Sequence, residues 1–221
     1  MKEQQYALMP LLFGLTFVSG LIDAASFLRL GHVFVANMTG NVVLLGFAIG
    51  GAKDISIVGS LIAIAFFMLG ALVGGRLSRR HSDDGAHLLW ETTLAKIALM
   101  LAAAMTAWFW VAGDMLGYVV IAVLAVSMGL QNAAVRSIGV PDMTTTVLTQ
   151  TITGLAMDSS LAGGTNVRWR RRAASVGIMF LGALIGALLV FRAGIPIALL
   201  AAAATLSIVS LWAWRLRSAV V

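Results

Sequence analysis

Eight apolar runs, joined by short polar loops, occupy almost the whole chain, and this pattern restricts the fold more than any other feature. They lie at Ala7–Leu30, Val33–Ala52, Ile55–Leu77, Leu88–Ala112, Leu116–Ile138, Met143–Ala162, Ala173–Phe191 and Ile195–Trp214. About 20 apolar residues in a helix match the hydrocarbon thickness of a bilayer. Of the 221 residues, 60% are hydrophobic and 11% charged, against about 45–50% and about 25% in a soluble domain. The expectation is an all-α polytopic membrane helix bundle, with residues 1–221 forming one membrane domain. The net charge of +6 comes mainly from arginines in short loops, where the positive-inside rule explains them better than nucleic-acid binding does. The lack of cysteine excludes disulfides, thiolate metal sites and a cysteine nucleophile. His32, His81 and His87 fall near segment ends without evident ligand spacing, so neither a metal nor a cofactor is expected. Met1–Gln5 lacks a basic region followed by a cleavage site, and the first segment is read as a retained span.

The chain repeats itself. Gly20-Leu21-Ile22-Asp23-Ala24-Ala25 matches Gly129-Leu130-Gln131-Asn132-Ala133-Ala134, and Met38-Thr39 matches Met143-Thr144. Leu69–Gly74 matches Leu181–Gly186, and Ala107–Trp110 resembles Leu211–Trp214. Four matches in one order predict homologous halves, 1–112 and 113–221.

Arginine and lysine placement sets the expected topology. Eight full spans with an inner N-terminus put eight cations inside and six outside. If Val33–Ala52 and Met143–Ala162 enter and leave on one side, the count becomes eleven against three. Six full spans, two re-entrant or broken half-helices and inverted halves are therefore expected, with both termini cytoplasmic. Eight full spans in two parallel repeats, and seven with only the sixth segment re-entrant, are the alternatives.

Asp23 is the carboxylate deepest within an otherwise apolar span. A charge at that depth must be neutralised, paired or hydrated. Thr16, Ser19, Gly20, Asp23 and Ser26 recur every three or four residues and form one face directed away from lipid. Asn37 can cap a helix opening at Met38-Thr39-Gly40-Asn41, and Pro141-Asp142 is expected to open its counterpart. Helix N-termini meeting at mid-membrane are a recurring solute or ion site. The expected binding set is Asp23, Asn37, Thr39, Asn41, Gln131, Asn132, Thr145, Thr149 and Gln150. Gly70, Gly74, Gly182 and Gly186 are read as helix-packing positions, between the halves or in a dimer.

Gly20–Ala24, followed by Phe34-Val35-Ala36-Asn37-Met38-Thr39-Gly40-Asn41, resembles the YoaK-like bacterial membrane proteins, a family carried under a domain-of-unknown-function label (DUF1275, UPF0700). The resemblance implies a small bacterial inner-membrane protein of about six spans and supplies no substrate or catalytic residue. The residues themselves point to a secondary transporter or channel for a small polar solute, with Asp23 as a proton-coupling group. A scaffold or partner subunit is the alternative. An intramembrane enzyme fits less well, because no Ser/His or Ser/Lys pair lies at depth and Asp142 and Asp158 are sixteen residues apart. The expected partners are lipid, the solute, protons and a second copy in a homodimer.

Overall fold

A computed structural model describes residues 2–81, 84–111, 114–140 and 148–218. Among these the protein is all-helical: α1 (Lys2–Arg29), α2 (Met38–Ile49), α3 (Ile57–Arg80), α4 (Gly85–Trp108), α5 (Leu116–Ile138), α6 (Thr149–Met157), a 3₁₀ turn at Ser160–Ala162, α7 (Trp169–Ala193) and α8 (Ile195–Ser218). Six of these helices are long and apolar enough to cross a membrane. α2 and α6 are not. With 12 and 9 residues, they reach about 18 and 14 Å at 1.5 Å per residue, well short of the ~30 Å hydrocarbon core.

α1 and α5 form the inside of the bundle, with 67% and 61% of their apolar stretches buried. α3 and α7 lie at its periphery, with 28% and 22% buried. α1 packs along α7, α3 along α5, and α4 along α8. This pattern is unchanged when α1–α4 are exchanged with α5–α8.

Glycine makes the two long seams possible. A methyl group on Gly70 would strike the Val126 carbonyl, and one on Gly74 would meet Leu130 and Ala133. Gly182 and Gly186 lie equally close to the Phe17 and Leu21 carbonyls. From the facing helices, Gly129 presses on Phe67 and Ala71, and Gly20 on Met179 and Ala183. The small-residue spacing thus joins helices of the first half of the chain to helices of the second, backbone against backbone.

These contacts also give direction. Phe17 faces Gly182 and Leu21 faces Gly186, so α1 and α7 run parallel; Val126 and Leu130 against Gly70 and Gly74 make α3 and α5 parallel as well. The connection that carries α2 leaves and rejoins the bundle at the same end. Gly31 (φ +81°) and His32 (φ +56°) turn the chain at the end of α1. The Gly31 carbonyl then accepts from Ser56 N at 3.1 Å, beyond the far end of α2. His32 Nδ1 lies 2.7 Å from the Asp54 carbonyl. α2 is therefore re-entrant, which excludes eight spans. Parallel α1 and α7 require an odd number of crossings between them. α3, α4 and α5 supply three, so α6 does not cross either, which excludes seven spans. The expected opening of the second broken helix at Pro141–Thr146 lies outside the described residues. The helix found there is shorter than the apolar run Met143–Ala162, covering Thr149–Met157 only, and is tied to α7 by Arg172. That side chain donates to the Gly154 carbonyl and to Asp158 Oδ2, each at 2.6 Å.

Two predictions follow the geometry. Cysteines placed at exposed Lys53 and Leu161 are expected to label from opposite sides of the membrane; labelling from one side overturns the re-entrant topology. Gly129→Ala and Gly20→Ala are expected to lower stability by about 1–3 kcal/mol through overpacking, read as a fall in detergent Tm. Gly46→Ala, where a methyl group meets nothing within 4 Å, should leave Tm unchanged.

Candidate functional site

The polar stripe on α1 is buried as expected: Thr16, Ser19, Asp23 and Ser26 are all enclosed. Thr16 and Ser19 donate to the carbonyls of Leu12 and Leu15, each at 2.9 Å, and Ser26 donates to that of Asp23. These hydroxyls satisfy themselves on their own helix, but Asp23 reaches outward. After α1 ends, residues 33–37 run back along it without helical hydrogen bonds. Asp23 Oδ1 accepts from Val35 N at 3.1 Å and Ala36 N at 2.8 Å.

Asn41, one turn into α2, completes the bracket. Its Oδ1 accepts from Phe34 N at 2.9 Å, and its Nδ2 donates to the Phe34 carbonyl at 2.5 Å. Asn37 caps α2, its side chain accepting from Gly40 N at 3.1 Å. The cluster Asn37–Asn41 thus pins a non-helical strap at membrane depth, with Asp23 as its anchor. Thr39 points outward and is exposed.

A second polar centre lies deeper. Lys96 is fully buried at the middle of α4, and its Nζ donates to Gln131 Oε1 on α5. Met128 Sδ lies 4.0 Å from the same ammonium. Gln131 Nε2 in turn donates to Ser19 Oγ on α1 at 3.0 Å. Lys96, Gln131 and Ser19 therefore join α4, α5 and α1, and Ser19 stands one turn from Asp23. Among the described residues no carboxylate pairs with Lys96. The hydroxyls of Thr92 and Ser127, one turn before Lys96 and Gln131, are buried without a partner among the described residues.

Lys96 was missing from the residue set expected from sequence, because a single lysine in an apolar run reads as a tolerated charge. The signal that could have found it is local: Thr92, Thr93 and Lys96 occupy one helical face and are all buried.

The rest of the expected set divides. Gln131 belongs to the deep centre. Asn132 turns aside and donates to the Met128 carbonyl of its own helix at 2.9 Å. Thr149 and Gln150 are exposed on α6 and do not join Asp23, because α6 packs on the peripheral helix α7. Thr145 lies outside the described residues. At the Arg29 end of the bundle, a separate cleft of about 190 Å³ is lined by Arg29, Ser56, Trp110, Asp114 and Tyr118, among others. Neither Asp23, Asn41 nor Gln131 lines it. The histidines read as lacking ligand spacing are partly brought together: His81 and His87 meet Glu91 at the turn between α3 and α4.

Six apolar crossing helices, a re-entrant α2 and charged groups buried between helices define a multi-pass helical membrane protein. The chain belongs to the DUF1275 family, described as proteins of unknown function, whose model matches residues 11–212. It is 34% identical over 150 residues to the UPF0700 transmembrane protein YoaK of Bacillus subtilis (strain 168), a match covering 66% of this chain and 64% of that relative. The matched region thus spans just under two thirds of the relative's length. No solved structure matches the chain.

Asp23→Ala removes the shared acceptor of Val35 and Ala36 and is expected to cost about 1.5–3 kcal/mol. It should accelerate hydrogen exchange at those two amides, whereas Asp23→Asn keeps an oxygen acceptor and most of the protection. Equal protection in wild type and Asp23→Ala would show that the carboxylate does not hold the strap.

Proposed function

We propose that this protein is a secondary transporter or channel for a small polar solute, built from two inverted homologous halves in the bacterial inner membrane with both termini cytoplasmic. The observation that carries this reading is the fully buried Lys96 joined to Gln131 and Ser19 at mid-bundle. A cation at that depth costs several kcal/mol when its partners are neutral. Structural glue between helices needs no charge. A solute with a carboxylate or other single negative group would supply the missing counter-charge, and the unpartnered hydroxyls of Thr92 and Ser127 would add hydrogen bonds.

Asp23 supplies the coupling. Its carboxylate holds the strap that leads into α2. Protonation removes the negative charge from both N–H bonds and weakens them, since hydrogen bonds to charged groups are roughly twice as strong as neutral ones. Proton binding would thereby loosen the strap, and rocking of one half on the other along the glycine seams would expose the deep centre to alternate sides.

The test begins with a thermal-shift screen of small carboxylates and neutral polar solutes on the purified protein, and takes hits into reconstituted vesicles. Lys96→Met is expected to reduce uptake of the stabilising solute at least about tenfold, a loss of about 1.4 kcal/mol of interaction or more. Asp23→Asn is expected to fold and to lose the acceleration by an imposed proton gradient. Wild-type uptake by Lys96→Met removes the binding role, and an intact proton response in Asp23→Asn removes the coupling role.

A further inference from the structure

The turn between α3 and α4 gathers a set of side chains that the transport reading does not use. His81 caps the end of α3, and His87 and Glu91 stand one turn apart on the first turns of α4. Glu91 Oε1 lies 3.0 Å from His87 Nε2 and 3.6 Å from His81 Nε2. The three ligand atoms are all within 4.8 Å of one another. In a tetrahedral zinc site with bonds of about 2.0–2.1 Å, neighbouring ligand atoms lie about 3.3 Å apart. The two distances to Glu91 bracket that value.

The outer contacts are also those a metal site needs. A ligating imidazole donates its second N–H to a carbonyl or carboxylate, which fixes the tautomer and turns the lone pair toward the metal. His81 Nδ1 lies 3.3 Å from the Leu77 carbonyl, which can only accept, so Nδ1 carries the proton and Nε2 the lone pair. His87 Nδ1 faces Asp84 Oδ2 at 4.0 Å, while Asp84 Oδ1 is already fixed by capping α4 through His87 N. The two imidazoles stack with centroids 4.4 Å apart, which holds the rings side by side at the turn. Arg79 and Arg80 in the last turn of α3 oppose a cation. Glu91, Asp84 and the partial negative charge at the C-terminal end of α3 favour one.

We propose that His81, His87 and Glu91 form a binding site for a divalent transition metal of the zinc class, clamping the end of α3 to the first turns of α4. α3 and α4 hardly touch elsewhere, since one packs on α5 and the other on α8. The clamp therefore joins two layers of the bundle at its Arg-rich end. On binding, the single N–H of the neutral His87 ring lies on Nδ1, toward Asp84, rather than on Nε2, which leaves the Nε2 lone pair for the metal.

The test uses the full chain purified in detergent through a tag without histidine and stripped with a chelator. Zn²⁺ titration by calorimetry is expected to show one saturable site per chain, and Co²⁺ to give the visible absorption of a tetrahedral nitrogen–oxygen site. His87→Ala and Glu91→Gln should each weaken Zn²⁺ binding at least about tenfold, while His32→Ala, at the far end of α1, leaves it unchanged. His81→Asn is the second variant at the turn, and monodisperse elution of each protein confirms folding. A lack of saturable Zn²⁺ binding in the wild type, or unchanged affinity across the three site variants, would mean that the cluster is only a hydrogen-bonded His–Glu pair and overturns the proposal.

Discussion

A peptide N–H that reaches hydrocarbon depth without a partner costs several kcal/mol, and the strap at residues 33–37 carries several such groups. Helix geometry cannot satisfy them, because the chain there is not helical. Side chains must do so, and the structure assigns the task to two. Asp23 takes the N–H groups of Val35 and Ala36, and Asn41 takes both polar groups of Phe34. Once the strap is held, α2 can start inside the membrane rather than at its surface, and a 12-residue helix suffices to bring the chain back to the end it left. The six-crossing topology depends on that return, for if α2 crossed, every later helix would be reversed.

Close approach of the long helices is the second requirement. Leucine is no more apolar than a lipid tail, so helices in a bilayer gain little from hiding it and much from dense packing. The seams between α1 and α7 and between α3 and α5 have glycine on both sides, at Gly20 with Gly182 and Gly186, and at Gly129 with Gly70 and Gly74. Backbone contact of this kind fixes direction and register more tightly than a greasy interface would. Two seams of the same construction let the halves bear on each other, and among the described residues no salt bridge joins α1 to α7 or α3 to α5.

Much of this was legible in the sequence for identifiable reasons. Apolar runs and arginine placement are properties of the solvent boundary, which every membrane span meets separately, so they survive without knowledge of contacts. The glycine spacing and the Asn37 cap are local geometry, equally open to reading. Gln131 could be chosen because it matched Ile22 in the repeat. What stayed hidden depends on distance in the chain: Lys96 acquires meaning only from a glutamine 35 residues away. The His81–His87–Glu91 cluster needs the turn that folds α4 back beside the end of α3. Thr149 and Gln150 failed for the converse reason. Their polarity was real, but α6 lies beside a peripheral helix, and polarity alone does not say which face meets the core.

Asp23 and Lys96, both buried within the bundle, differ in how the protein treats them. Asp23 has its carboxylate answered by two backbone donors. Lys96 is given only a neutral amide oxygen and a thioether. If a cation in this bundle served stability alone, Asp23 could have been placed to pair with it, since Ser19, which Gln131 contacts, lies one turn away on the same helix. Instead Gln131 and Ser19 stand between them as neutral spacers. Two ionisable side chains are thus held apart within one low-dielectric interior. Lys96 is the member of this pair whose partners are all neutral side chains, and the proposed solute site rests on that feature.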